Sequence, residues 1–388
     1  MVRPATLAKV FGLFQSCPSG REPLSASLII SSSHPSVTAF VITLRSYLAG
    51  SVGDLVAIRG GNTLFKKILV PLDGSEHSRK IVGWATGLAG ALSAQIILLS
   101  VIDPEEIEIL EATTRSQGQQ MKSVGGPPVA APVRTPADVI DDALAQSKEG
   151  LLAEAEFVKA AGAAVNVRVG VGSPAEVIVS EAHTLDVDLI AMATRRESVL
   201  ARGVLGSVTD RVLHSTATPI LTLYPGETTN FGDNNGAPKH VIVPLDGSAL
   251  SESAIQPATE IAKAAGADMI FTETVRLPFF GVGVAGIEYG AGDYAGDFGI
   301  AAQREEVAEY LQGFVKDAEA MGLRACASVR TGNPSQQIVE EAAEAEGSIV
   351  VMGSHGAGGL KRWVVGSVAD KVVRSARRPV LVIPPKTG

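Results

Sequence analysis

Short apolar runs alternate with longer amphipathic stretches along most of this chain. His240–Leu245 is a β-branched apolar run that stops at Asp246-Gly247, which predicts a buried strand followed by a turn. Ser251 is then placed to cap a helix running through Ile255, Ile261 and Ala262 to Gly266, with Pro257 positioned to kink it. Met269–Val275 predicts a second strand, Arg304–Met321 a long helix and Leu323–Val329 a third strand. A helix over Pro334–Ala345, capped by Asn333, leads to a strand at Ile349–Met352. Ser367–Ala376 reads as the last helix and Pro379–Ile383 as the last strand. Strands separated by helices in this way run parallel, with right-handed crossovers that put helices on both faces of the sheet.

The same order occurs upstream. Ile68–Leu72, Gln95–Val101, Val165–Val169, Leu189–Met192 and Ile220–Leu223 are the corresponding strands. FKKILVPLDGS at Phe65–Ser75 matches KHVIVPLDGS at Lys239–Ser248, an offset of 173 residues between the LDGS turns. Gly172-Ser173-Pro174 matches Gly332-Asn333-Pro334, and Gly206-Ser207-Val208 matches Gly366-Ser367-Val368, both offset by 160. The first copy is thus longer, and the surplus falls within Pro104–Pro136. A repeat of this period means tandem domains, each large enough for its own core. The expectation is an α/β protein of two doubly wound domains, 64–225 and 239–388, each with a five-stranded parallel sheet of order 3-2-1-4-5. A polar Gly/Asn-rich linker at 226–238 separates them.

Composition narrows the function classes. Only 5% of residues are aromatic against 46% hydrophobic overall, so the core is aliphatic, as parallel sheets under Ala-rich helices require. A net charge of −8 argues against an electrostatic nucleic-acid binder. No apolar stretch approaches the ~18 residues of a membrane helix. Two cysteines are too few for a disulfide scaffold and point to a reducing, cytoplasmic setting. Residues 1–60 carry five basic and two acidic side chains with no clear period, so 1–63 reads as a poorly ordered extension. Gln117–Pro136 reads as disordered, and the glycine-rich Gly281–Gly299 as a surface loop or a lid. His77 and His214 lack Cys or His partners at ligand spacing, so no metal site is expected. Arg374, Arg377 and Arg378 suit the negative end of the last helix.

In a 3-2-1-4-5 sheet, ligands bind beyond the carboxyl ends of the first and fourth strands, where strand order reverses. The loops there are Asp246-Gly247-Ser248 and the stretch from Gly353 through Gly356 to Gly366-Ser367. Glycines let a phosphate or ribose approach backbone N–H groups, and Gly366-Ser367 opens a helix whose positive end favours an anion. Asp246 offers an acceptor to a base or ribose, although both Asp73 and Asp246 could instead cap the helices that follow.

Gly353-x2-Gly356-x9-Gly366-Ser367, with the LDGS turn, resembles the ATP-binding motif of universal stress proteins, and the likeness spans both copies. The resemblance implies an adenine nucleotide alpha hydrolase-like fold. It also implies ATP, AMP or ADP, with Mg2+ as a companion ion, held by Asp246, Val275, Met352, Gly353, Gly356, Gly366, Ser367 and Val368. It further implies that the two halves pair through their final strands, Thr218–Pro225 and Arg378–Pro385, and that whole chains form homodimers.

The first copy departs from the pattern. Asp73, Val101, Gly206 and Ser207 stay in place, but Ala193 replaces Gly353 and Arg196 replaces Gly356. Either this half is kept for structure, or Arg195 and Arg196 bind an anion by side chain. His355, Lys361 and Arg362 lie in the second glycine loop, within reach of phosphates or as solvated charge. Three functions stay open: an ATP- or AMP-sensing stress regulator, a slow ATPase, or a nucleotide-independent dimeric scaffold. No Walker lysine motif or second acidic metal ligand stands near the glycine loop, which argues against the ATPase.

Overall fold

The computed structural model describes residues 63–105, 136–194, 205–224, 237–276, 293–354 and 365–385, and side chains at 139–194 and 300–354 within the two longest helical stretches. The expectations for 1–62, for 117–135, for the linker core and for 281–292 of the glycine-rich stretch lie outside these residues. The chain divides into two units, Met1–Thr63 and Leu64–Gly388.

The second unit holds ten strands: β1 (Lys67–Pro71), β2 (Gln95–Ile102), β3 (Ala164–Val171), β4 (Leu189–Ala193) and β5 (Ile220–Leu223), then β6 (His240–Leu245), β7 (Asp268–Val275), β8 (Ala325–Thr331), β9 (Ser348–Gly353) and β10 (Val380–Ile383). They form one sheet of order β3-β2-β1-β4-β5-β10-β9-β6-β7-β8. Read inward from each outer edge, each half has the order 3-2-1-4-5, parallel throughout. The halves meet where β10 pairs antiparallel with β5, with Leu381 opposite Leu221. Pairing the final strands covers one edge of each half and leaves β3 and β8 as the outer edges of the joint sheet.

Nine helices lie among the described residues. In the first half they are α1 (Glu76–Leu92), α2 (Pro136–Ala160), α3 (Pro174–Thr184) and α4 (Ser207–Ser215). In the second they are α5 (Ala249–Glu252), α6 (Ile255–Ala265), α7 (Asp293–Ala320), α8 (Pro334–Glu344) and α9 (Ser367–Ser375). Successive residues of β7 show the two faces, because strand side chains alternate. Phe271 meets Phe314 of α7 with ring centroids 5.8 Å apart, whereas the Thr272 hydroxyl donates to Glu341 of α8 at 3.0 Å. Beneath α1, α2, α6 and α7 runs an aliphatic core that continues from Ile68, Ile96 and Leu189 into Val241, Met269 and Ile349. None of the helices among the described residues is long and apolar enough to cross a membrane.

Two local expectations are corrected. The helix after β6 is broken into α5 and α6 at Ser253–Ala254 rather than kinked at Pro257. The break leaves Pro257 in the first turn of α6, where its missing N–H costs nothing. The long helix α7 begins at Asp293, eleven residues before Arg304, so the end of the glycine-rich stretch is helical and not loop. Extending an established helix costs only about 1 kcal/mol at each glycine. Asn333 caps α8 as expected, its side chain accepting from the Gln336 N–H.

Candidate functional site

Both LDGS turns are built alike. After β1 and β6 the chain needs a left-handed residue, supplied by Gly74 (φ +76°) and Gly247 (φ +75°). Asp73 Oδ1 accepts from the Ser75 N–H at 3.0 Å. Asp246 Oδ1 accepts from the Ser248 N–H at 3.2 Å and from its hydroxyl at 2.6 Å. The helix caps are therefore serines, not aspartates: Ser75 Oγ accepts from the Ser78 N–H and Ser248 Oγ from the Ser251 N–H, each at 3.1 Å. Ser251, expected as the cap, is buried inside α5 and bonds back to the Ser248 carbonyl at 2.9 Å. Freed from capping, Asp246 stands exposed at the carboxyl end of β6.

A cavity of about 1070 Å³ opens there, large for a small-molecule site, which usually spans about 300–1,000 Å³. It sits between β6 and β9, where strand order reverses. Asp246, Val275, Met352, Gly353, Gly366, Ser367 and Val368 all line it. Gly356 lies outside the described residues, as do Arg195, Arg196, His355, Lys361 and Arg362. The ends of the glycine loop are drawn together, because the Gly366 N–H donates to the Ser354 carbonyl at 2.6 Å. Ser354 is held in turn by its N–H to the Ile383 carbonyl at 2.8 Å. Helix α9 starts at this closure with no side-chain cap on Gly366, and its first turn lines the cavity. Uncapped N–H groups and the positive dipole end suit a phosphate there. Asp246 at one side and the α9 N-terminus at the other form a donor and acceptor set that fits a nucleotide.

In the first half, Asp73 follows β1, Val101 lies on β2, and Gly206-Ser207 opens α4, again without a side-chain cap. These are the same topological positions. Ala193 ends β4 where Gly353 ends β9, and its carbonyl accepts from the Thr209 hydroxyl at 3.3 Å.

The cavity also contains residues that motif reading missed. Asp210 and His214 of α4 line it from the first half, beside Asp370 and Arg374 of α9. Glu273 on β7 lines it too, and its Oε2 is buried with no hydrogen-bond partner. Burial, reinforced by the charges of Asp246 and Glu306, pushes its carboxyl up to about 7. Above it Tyr310 donates to Glu252 Oε1 at 2.9 Å, and burial followed by that bond raises the phenol. A charged residue inside the apolar run MIFTETV was the one sequence signal for Glu273. On the opposite face of β7, by contrast, Glu341 Oε2 accepts from Thr272, Ser328 at 2.9 Å and Arg330 Nε at 2.7 Å.

Tandem 3-2-1-4-5 sheets with a receptive helix end at the switch point define an adenine nucleotide alpha hydrolase-like fold. Within that class, the universal stress protein family matches residues 64–223 and again 238–384, and the chain belongs to that family. A universal stress protein of Mycolicibacterium smegmatis is 25% identical over 322 residues, covering 82% of this chain and 97% of the relative. One from Mycobacterium tuberculosis is 28% identical over 203 residues, 51% of this chain, and the match spans 62% of that relative's length. A crystal structure of a universal stress protein from Archaeoglobus fulgidus shares the fold, with a TM-score of 0.57 at 21% identity, over 83% of this chain and 98% of that one.

Proposed function

We propose that this chain is an adenine-nucleotide-binding regulator of the stress response, with ATP or AMP held in the second half and its occupancy signalled to partners. The observation that carries this reading is the convergence of Asp246, Val275, Gly353 and the uncapped start of α9 on one cavity. Asp246 would accept from the base or ribose, while the α9 N–H groups and glycine loop would hold the phosphates. Among the described residues no group of three His, Cys, Asp or Glu could hold a metal. Mg2+ would therefore arrive with the phosphates, as it commonly does. Homodimers of whole chains would need a surface other than β5 and β10, which already pair with each other.

Calorimetric titration of the full chain tests the reading. The expected result is about one ATP or AMP per chain. Asp246→Ala should weaken it about tenfold to a hundredfold, the worth of one hydrogen bond to a charged group. Two equivalents, or no effect of the substitution, would overturn the assignment. Multiple turnover of ATP that is lost with Asp246→Ala would make the protein an ATPase instead.

A further inference from the structure

Glu273 is a half-buried acid with one buried, unpartnered oxygen that the nucleotide reading leaves without a task. Its register places it opposite Leu245, one residue before Asp246, so the two carboxyl groups flank the same corner of the cavity. By strand alternation it points to the α7 side, as Phe271 does. The groups facing it are acidic or already engaged. Asp246 comes from the end of β6, Glu306 and Tyr310 from α7, and Glu252 of α5 is bonded to Tyr310. Among the nearby cations, Arg304 Nη1 is bonded to the Thr331 hydroxyl at 3.0 Å, Arg330 is held by Glu341 and Glu344, and Arg276 lies exposed at the strand end. An unpartnered carboxyl oxygen in such company favours its protonated form and leaves a pairing position open at the cavity.

A protonated carboxyl presents one donor and one acceptor side by side, whereas a carboxylate presents acceptors alone. Adenine offers an acceptor and a donor side by side on its edge, at N7 and the N6 amino group. Guanine also sets the O6 acceptor beside the N1–H donor, but its adjacent N1–H and N2 donors match a carboxylate better, so ionisation would not cost it the pairing. We propose that Glu273 is the base-reading residue of this cavity, pairing in its protonated form with the donor–acceptor edge of adenine and losing that match on ionisation. The assignment rests on the nucleotide reading of the site and adds to it a source of base selectivity and of pH sensitivity. ATP occupancy would then fall as the surroundings turn alkaline, while Glu273→Gln, whose amide keeps one donor and one acceptor, would hold ATP at any pH.

The test is calorimetry on the full chain with ATP, comparing wild type and Glu273→Gln from pH 6 to pH 8. The ratio of their dissociation constants cancels the titration of the ATP phosphates. With a carboxyl at about 7, that ratio should rise about tenfold across the window. Wild type should also take up about 0.9 proton per ATP bound at pH 8 beyond what the variant takes up, read from buffers of different ionisation heat. Adenosine, which has no group titrating in this range, should show the same decline with wild type alone. GTP binding should not decline with pH in that way. A flat ratio together with flat adenosine binding overturns the role of Glu273. If ATP still binds and is lost with Asp246→Ala, the nucleotide reading survives that failure. No ATP binding by either chain at any pH overturns both.

Discussion

Arg374 Nη2, in the second half of the chain, lies 2.5 Å from Asp210 Oδ1 in the first. Its Nε also reaches Asp370 Oδ1 at 2.8 Å, so one guanidinium ties α9 to α4 across the β5–β10 junction. The offset of 160 residues makes Asp210 the counterpart of Asp370, and His214 the counterpart of Arg374. The halves therefore repeat the acid but not the base, and His214 Nδ1 turns to the Asp210 carbonyl at 2.8 Å instead.

Asp210→Ala should weaken the junction only modestly. Arg374 keeps Asp370, and side chains about a quarter to two-fifths exposed are screened, so a loss of about 0.5–1 kcal/mol is expected. Urea denaturation should show that loss in low salt and little of it in about 1 M salt. A loss undiminished by salt would mean that packing, not charge, joins the two helices.

Glu341→Ala should cost far more. Its oxygen collects Thr272, Ser328 and Arg330, and Arg330 is in turn bonded to Glu344, whose bond is foremost in raising the guanidinium. Removing the acid leaves two hydroxyls without their acceptor and the largely buried guanidinium with Glu344 alone, at a cost of about 3 kcal/mol. The denaturation midpoint reports it, and a shift under about 1 kcal/mol would show that Glu344 suffices as the counter-charge.

Glu273 should make the fold less stable as pH rises. Unfolded, its carboxyl ionises at the ordinary 4.5, whereas in the fold it holds its proton to about 7. Below pH 4.5 both states are protonated and nothing is lost. Between 4.5 and 7 the unfolded chain gives up the proton first, so stability declines and then levels off. For a half-buried group the screened total is about 1–2 kcal/mol. Glu273→Gln should therefore gain on wild type between pH 5 and pH 8, measured by urea denaturation in the absence of nucleotide.

Ser367→Asp separates the two roles of the α9 N-terminus. An acid in the first turn favours the helix by about 0.3–1 kcal/mol, yet it occupies the place proposed for phosphate. Thermal stability should rise slightly while ATP binds about tenfold more weakly and adenosine is unaffected. Unchanged ATP affinity would move the phosphates away from α9.

Much of this molecule was legible along the chain because its signals are local. The apolar runs mark all ten strands to within about two residues at either end. Asn333-Pro334 marks the start of α8, and Gly366-Ser367 the start of α9. Local signals failed where caps compete. Ser248, Ser251 and Asp246 are all plausible caps, and only the closed turn selects Ser248. They failed again at Asp293, because helix extension there depends on the strong helix downstream.

The sequence by itself determined the repeat and the strand and helix positions behind the 3-2-1-4-5 order, since periodicity and turn chemistry act over a few residues, while the resemblance of its glycine motif singled out seven residues that line the cavity. Only the tertiary structure decided that the halves share one sheet and that Arg374 meets Asp210, 164 residues away. It also decided the fates of two glutamates on opposite sides of β7. Glu341 found three donors and Glu273 found none, because what a strand residue faces depends on the helix laid across it, and that helix comes from elsewhere in the chain.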